Sequence, residues 1–237
     1  GYAAASDADL PGANDPTVWP TILTVDTPAF SNRVLRVTNL LNGTLSQVTI
    51  TGGYETNENY GGGVGITGST NFLMSACLIV SNTLIPNAGT YGGGGIGIRS
   101  SDVTISNCWI RHNSTGRGGN INHGGGIYNS GNLRLLNSLI VSNQAISTGH
   151  KRGGGLCNES GTVLIRQCRF IGNTAGQGGG LYSANLNSYC TVLNTLFQGN
   201  DVGSGASLNY GAGGAILNLG TTFLMRNCLL SDNTSTF

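Results

Sequence analysis

Apolar and polar positions along this chain repeat at intervals of about 30 residues. Six segments share a mostly apolar run that ends in Asn: SACLIVSN, SNCWIRHN, LNSLIVSN, RQCRFIGN, LNTLFQGN and RNCLLSDN. The residues that end them are Asn82, Asn113, Asn143, Asn173, Asn200 and Asn233. Asn82 leads through a loop to three glycines at residues 93–95 and then to Ile96, and the next four copies follow the same order. A repeat of this length predicts a solenoid of stacked copies.

Within each repeat the apolar residues alternate with a period of two. In the second copy they stand three, five, eight and ten positions before the Asn, at Ile110, Cys108, Ile105 and Val103. Pairs two apart indicate strands and the odd step marks a bend, whereas a helix would need spacings of three and four. With a third strand after the glycines, we predict an all-β fold, a single-stranded right-handed parallel β-helix of about seven coils and three sheets. We expect residues 45–237 to form the repeats, and residues 1–44 to form an irregular N-terminal lead-in with partial coils.

The recurring Asn has a structural explanation. Inward amides stacked at the spacing of parallel strands can hydrogen-bond along the column, an arrangement that we call the Asn ladder. Asn also tolerates the left-handed backbone of a tight bend. A second polar column lies six positions earlier, at Asn107, Asn137, Gln167, Asn194 and Asn227, with Ala76 as the exception. We expect the glycines to supply positive φ and close approach at the opposite bend.

Composition narrows the class of partner. Only 9% of the residues are charged, against about 25% in typical soluble domains, and the formal net charge is +1. This balance gives no electrostatic reason to expect a nucleic acid partner. No apolar run approaches the roughly 20 residues of a spanning helix, so we expect no direct membrane insertion. The chain opens Gly-Tyr-Ala without the regions of a signal peptide, so we expect a processed or excised piece of a longer molecule.

The glycine–aliphatic units and the ladder Asn segments resemble those of chlamydial polymorphic outer-membrane proteins and the wider pectate-lyase-like β-helix families of bacterial surfaces. The similar part covers about residues 45–237, preceded by PTIL at residues 20–23 and with TITGG at residues 49–53. The resemblance implies a surface repeat protein of bacterial type. It also implies an extracellular, cell-surface or periplasmic location.

A carbohydrate-active or glycan-binding β-helix is the alternative function. Lyases of that kind need clustered carboxylates for calcium with a basic residue, and hydrolases need a close carboxylate pair. The repeats contain four carboxylates, at Asp102, Glu159, Asp201 and Asp232. Asp201 and Asp232 are the best pair, but no Arg, Lys or His accompanies them. The Asn-His-Gly at residues 122–124 resembles the Gly-His-Gly of polygalacturonases, whose other elements are missing, so we predict no catalytic residues and no enzyme.

The sequence indicates that most of the cysteines serve as small core residues. Cys77, Cys108, Cys168 and Cys228 share one inward column with Ser138 and Thr195. Cys77 and Cys108 lie on adjacent coils, so a disulfide between them is an alternative to two free thiols. We predict no metal site and no cofactor, because no Cys-x-x-Cys or paired His spacing occurs. Cys157 is expected to point outward as the most reactive thiol.

Basic residues cluster in two neighbouring loops, between the ladder Asn and the glycines. They are Arg117 and His123 on one coil and His150, Lys151 and Arg152 on the next. Stacking of the coils should bring them together as one edge. This edge is a candidate site for an anionic glycan or for a partner's carboxylates, with an ordinary solvated loop as the alternative.

The outward positions of the strand before each ladder Asn carry apolar residues where a solvated sheet would carry polar ones. They are Leu78, Val80, Trp109, Leu139, Val141, Ile171, Leu196 and Leu229. Monomeric proteins seldom expose contiguous apolar patches of this kind, so we expect the face to be covered. The alternative is that three residues per coil lie in the core and the inward phase is shifted. We predict a non-catalytic structural or adhesive scaffold that binds a protein partner or self-assembles through this face.

Overall fold

The computed structural model describes residues 21–25, 31–57, 60–85, 92–116, 121–145, 150–184, 188–203, 213–220 and 222–235. These residues form 29 strands, β1 to β29 in chain order, and no helix. The strands stack as an all-β parallel solenoid with three sheets, as the sequence predicts, but with about six turns where about seven are expected. Within the described ranges no helix offers the length and hydrophobicity needed to cross a membrane.

Sheet 1 has eight strands, most of which precede the ladder Asn residues. They are β1 (Thr21–Leu23), β4 (Val48–Thr51), β8 (Leu78–Val80), β11 (Trp109–Arg111), β15 (Leu139–Val141), β20 (Arg169–Ile171), β24 (Leu196–Gln198) and β28 (Leu229–Ser231). Neighbours are parallel and in register, so that Ile79, Ile110 and Ile140 lie one above another.

Sheet 2 has twelve strands and contains both the strand after the glycines and the strand eight to ten positions before the ladder. They are β2 (Leu35–Thr38), β3 (Thr44–Ser46), β6 (Val64–Thr67), β7 (Phe72–Ser75), β10 (Ile96–Ser106), β14 (Ile127–Leu136), β18 (Leu156–Asn158), β19 (Gly161–Arg166), β22 (Leu181–Ser183), β23 (Ser188–Leu193), β26 (Ile216–Asn218) and β27 (Thr222–Arg226). In two coils the two strands run on as one, β10 and β14, although two separate sheets are expected from the sequence.

Sheet 3 is formed by two-residue strands that directly follow the ladder. They are β5 (Tyr54–Glu55), β9 (Thr83–Leu84), β12 (Ser114–Thr115), β16 (Gln144–Ala145), β21 (Thr174–Ala175), β25 (Asp201–Val202) and β29 (Thr234–Ser235). Their second residues, such as Leu84 and Val202, point into the core and are buried in every strand except β29, where Ser235 is exposed. These strands are too short to show a period of two, which is why the sequence pattern does not predict them.

The predicted inward columns form one continuous core. Ile79, Ile110, Ile140, Phe170 and Phe197 are fully buried, and the two Phe rings stack with centroids 4.8 Å apart. Their neighbours in sequence are exposed or half-buried, as the burial pattern of β8 and β11 shows. The inward phase is therefore as predicted, and the shifted alternative is wrong.

The Asn ladder is confirmed. Asn113 Nδ2 donates to Asn143 Oδ1 at 3.0 Å and to the Ile79 carbonyl at 3.0 Å. The Asn143 oxygen also accepts the Asn113 backbone N–H at 3.1 Å. The same pattern continues from Asn82 to Asn233, so each amide joins its own bend to the next coil. The second polar column marks the other bend, where Asn107 and Asn137 have φ of 54° and 47°.

A small fourth sheet lies outside the coils. It is a parallel pair of loop strands, β13 (Ile121–His123) and β17 (His150–Arg152), which we call the outer pair. The outward side chains of sheet 2, Tyr128, Cys157 and Tyr182, form a second hydrophobic cluster that is buried. The chain thus has a main core inside the coils and a minor core outside sheet 2.

Candidate functional site

The outward face of sheet 1 carries the predicted interface residues in a continuous array. Trp109 lies in register between Leu78 and Leu139 on adjacent strands. Its side chain is exposed, with 53% of the residue accessible, and Leu229 at the far end is 61% accessible. The half-buried members of the array are Leu78, Val80, Leu139, Val141, Ile171 and Leu196. This face is therefore apolar and uncovered in the isolated chain.

Two arginines are the charged residues of this array. Arg111 lies beside Trp109, with its guanidinium carbon 6.0 Å from the centre of the indole ring. Arg169 is exposed and in register with Leu139 and Leu196. No Asp or Glu occupies the two outward columns of the array. The array is therefore apolar and carries a positive charge.

The two basic loops are adjacent, because the outer pair joins them. His123 is in register with Arg152, and the side chains of His150, Lys151 and Arg152 are half-buried. Arg117 lies outside the described residues. His123 is 2% accessible and turned inward, so it is not part of an exposed basic edge. The physical reason is that its strand covers sheet 2 and the imidazole faces the minor core.

Beneath the outer pair, the side chains of His123, Cys157 and Glu159 converge, and they offer a nitrogen, a sulfur and an oxygen atom. His123 Nδ1 lies 3.3 Å from Cys157 Sγ and 3.1 Å from Glu159 Oε2, and Sγ lies 3.9 Å from the same carboxylate oxygen. Arg152 Nη1 is 3.9 Å from that oxygen, and its guanidinium carbon lies 5.1 Å above the Tyr182 ring. We call His123, Cys157 and Glu159 the buried triad. These three residues are the only group of such ligand types with metal-binding spacing in the described ranges.

Local structure explains how the triad forms. Leu156 and Asn158 point into the coil, so alternation places Cys157 and Glu159 together on the outer side of sheet 2. His123 stands directly before the glycines of its coil, where the chain passes from the outer pair into β14. The predicted outward direction of Cys157 is correct, but the expectation of an exposed reactive thiol is wrong, because the residue is fully buried.

Burial and charge set the protonation of the triad. Burial raises the pKa of the Cys157 thiol well above its ordinary value, and the negative charge of Glu159 raises it further. Burial by itself would raise the pKa of the Glu159 carboxyl, but the hydrogen bond from His123 and the charges of His123 and Arg152 outweigh it and lower that pKa. The carboxyl is therefore ionised and the thiol protonated near neutral pH.

The other carboxylates of the repeats do not join this group. Asp102 accepts a 2.6 Å hydrogen bond from Asn132 Nδ2, in a depression that Arg134 also lines. Asp201 accepts a hydrogen bond from Thr234 Oγ1, whereas Asp232 faces Gln198 Nε2 at 3.5 Å. The candidate pair Asp201 and Asp232 thus has separate neighbours.

The inward cysteines behave as core residues. Cys77 and Cys108 are buried free thiols, and the Cys77 backbone N–H points to Cys108 Sγ at 3.4 Å. Their column also contains Ser138, whose hydroxyl accepts the Cys108 backbone N–H at 3.1 Å. A sulfur or hydroxyl oxygen atom at this position therefore accepts one backbone N–H from the preceding coil.

The fold and these sites define a class of protein, a parallel β-solenoid with an uncovered apolar strand face and a buried mixed-donor triad. Comparison of the chain with protein-family models, with curated proteins and with solved structures gives no match to any of them. The resemblance to bacterial surface repeats therefore rests on the sequence motifs alone.

Proposed function

We propose that this chain is a non-catalytic scaffold of a bacterial cell surface, with a structural or adhesive role, that binds a protein partner through the face of sheet 1. The single observation that carries the proposal is Trp109, which is 53% accessible and flanked in register by Leu78 and Leu139. Aromatic residues ringed by aliphatic ones are typical centres of protein interfaces. An apolar array that spans six strands also exceeds what a solvated sheet needs.

Charge favours a different protein over a second copy of this chain. A face-to-face pair with a second copy would bury Arg111 and Arg169 against an array that contains no carboxylate to neutralise them. Burying an unpaired charge is costly, whereas a carboxylate opposite each guanidinium offsets that cost. The expected partner therefore presents an apolar surface that carries Asp or Glu. Self-assembly is the other outcome that the experiment below distinguishes.

The cell-surface location belongs to the same proposal. It is supported by the resemblance of the glycine–aliphatic and ladder segments to surface repeat proteins of bacteria. The scaffold role is further supported, over a carbohydrate-active one, by the position of Asp102 on sheet 2, apart from Asp201 on sheet 3. The side chains of Asp102, Asp201 and Asp232 also each face a different neighbour.

Site-specific photo-crosslinking tests the proposal. A photoreactive phenylalanine replaces Trp109 in one variant and Tyr189 in the control, because Tyr189 is equally accessible at 52% but lies on sheet 2. In native surface extracts we expect the variant at position 109 to form an adduct with one protein through an acidic, apolar peptide. Adding Leu139→Glu should abolish this adduct, and the control should not form it.

The purified chain alone supplies the second arm. A crosslinked dimer formed from position 109 without any other protein would show self-assembly and overturn the assignment to a different partner. Equal labelling from positions 109 and 189 would contradict the binding face itself. Circular dichroism of Trp109→Ala and Leu139→Glu should match that of the parent chain, since both side chains point away from the core.

A further inference from the structure

We propose that the buried triad, His123, Cys157 and Glu159, binds one divalent transition-metal ion, of which Zn²⁺ fits best. This site is not expected from the sequence, whose cysteine and histidine spacings indicate no metal. The triad supplies one nitrogen, one sulfur and one oxygen donor from two adjacent coils. Imidazole, thiolate and carboxylate are the ligand types that Zn²⁺ takes in proteins.

The distances among the donor atoms agree with a tetrahedral ion. Zn–S bonds of about 2.3 Å and Zn–N or Zn–O bonds of about 2.0–2.2 Å give S···N and S···O edges of about 3.6 Å and an N···O edge of about 3.3 Å. The corresponding distances in the triad are 3.3 Å, 3.9 Å and 3.1 Å. Each edge is thus within about 0.3 Å of the tetrahedral value without movement of the backbone.

The hydrogen bonds among the three residues leave the imidazole incompletely paired. His123 Nδ1 faces both Cys157 Sγ and Glu159 Oε2, and the thiol can donate to the same carboxylate oxygen. The other ring nitrogen, Nε2, is buried and has no hydrogen-bond partner among the described residues. An ion at the centre of the triad would contact all three donor atoms at once.

The charges of the site also suit a divalent cation. A thiolate and a carboxylate neutralise the two positive charges of the ion, and His123 binds as neutral imidazole. The Arg152 guanidinium then leaves one net positive charge beside the site. Binding breaks the S–H bond of Cys157, forms the S–metal bond and releases that proton to the buffer. The hydrogen that His123 Nδ1 donates to Glu159 moves to Nε2 when the ring is neutral, or is released as a second proton when the ring is an imidazolium. Arg152 lies 3.9 Å from Glu159 Oε2, too far for a hydrogen bond, so it orients the carboxylate without occupying the lone pair.

An entry path exists on the side of Glu159. Its side chain is 31% accessible, whereas His123 and Cys157 are buried. Three protein ligands leave the fourth tetrahedral position for water or for a small ligand that enters past Glu159.

Cobalt titration tests the site in the whole chain. Co²⁺ is added to metal-free protein as the probe, and Zn²⁺ is then added to displace it. We expect one ion per chain, a thiolate-to-cobalt charge-transfer band and the visible spectrum of tetrahedral cobalt. Cys157→Ser should remove the charge-transfer band, and Glu159→Gln should weaken binding by more than about tenfold.

Cys168→Ser is the matched control, because Cys168 is buried in a column that already contains Ser138 at the same position. This variant should bind Co²⁺ as the parent chain does. A missing charge-transfer band in the parent chain, or its loss in Cys168→Ser as well, would overturn the proposal.

If circular dichroism shows that Cys157→Ser does not fold, the affinity of Glu159→Gln for Co²⁺ is the deciding measurement. Unchanged affinity in that variant would count against the site. Calorimetry in buffers of different ionisation enthalpy should give at least one proton released per Zn²⁺, and none would contradict thiolate ligation.

Discussion

Replacing Asn143 with Leu isolates the contribution of the ladder, because Leu and Asn have similar shapes and the site is fully buried. The change removes four hydrogen bonds, and two of them leave a group unpaired: the Asn113 backbone N–H loses its acceptor at 3.1 Å and the Ile110 carbonyl loses its donor at 2.9 Å. Asn113 Nδ2 still donates to the Ile79 carbonyl, and Asn173 Oδ1 still accepts the backbone N–H of residue 143. Each buried group left without its partner costs 1–3 kcal/mol, so the two together cost about 2–6 kcal/mol of unfolding free energy.

The assay has a global and a local readout. Guanidinium unfolding followed by circular dichroism should show a lower midpoint for Asn143→Leu. Amide hydrogen exchange should show that the Asn113 N–H loses protection, because its acceptor was the Asn143 side chain. Coils contact only their neighbours in a solenoid, so amides several coils away should change little at the local level.

Asn132→Leu is the control, since Asn132 is exposed and bonds only to the side chain of Asp102 in the described contacts. A surface change of this kind usually stays within about 0.5 kcal/mol. The reasoning would be refuted if both variants unfolded at the same midpoint, or if the Asn113 amide kept its protection in Asn143→Leu.

Two further predictions follow from the bends and from the triad. Gly125→Ala should destabilise the chain far more than Gly199→Ala, as measured by thermal unfolding, because its new Cβ would lie within 2.4–2.6 Å of the Gln144 backbone. At Gly199 nothing lies within 4 Å, and only the left-handed backbone at φ +60° costs about 1–2 kcal/mol; equal melting points would contradict this contrast. The lowered pKa of Glu159 stabilises the fold above the ordinary carboxyl pKa of 4.5, and this contribution is lost as the pH falls through the folded value. Glu159→Gln should therefore lose less stability than the parent chain between about pH 6 and pH 3 in urea unfolding, and parallel losses would contradict the shift.

The coil and its ladder are predictable from the sequence because their signals recur. Ile110 and Cys108 differ by two positions in a pattern that six copies repeat, and the Asn that follows marks the same bend each time. The phase of the outward face follows from the same alternation, which places Trp109 outside. Sheet 3 cannot be predicted from the sequence, because strands such as Ser114–Thr115 have only two residues and therefore show no period.

The buried triad is only partly predictable. The alternation of Leu156 and Asn158 places Cys157 and Glu159 on one side of the strand, and this signal is present in the sequence. The position of His123 is not, because the loop that carries it varies among copies and its folding over sheet 2 depends on the pairing of β13 with β17. Local patterns describe the repeated coil, whereas loop placement depends on contacts between loops that do not repeat.

The accessibility of Trp109 in the native assembly tests the binding face most directly. Hydroxyl-radical oxidation read by mass spectrometry compares Trp109 with Tyr189, since the two residues are 53% and 52% accessible in the isolated chain. We predict that Trp109 is oxidised readily in the purified chain and is strongly protected in the native assembly, while the oxidation of Tyr189 stays the same. Equal oxidation of Trp109 in both samples would contradict the proposal that the face of sheet 1 binds a protein partner.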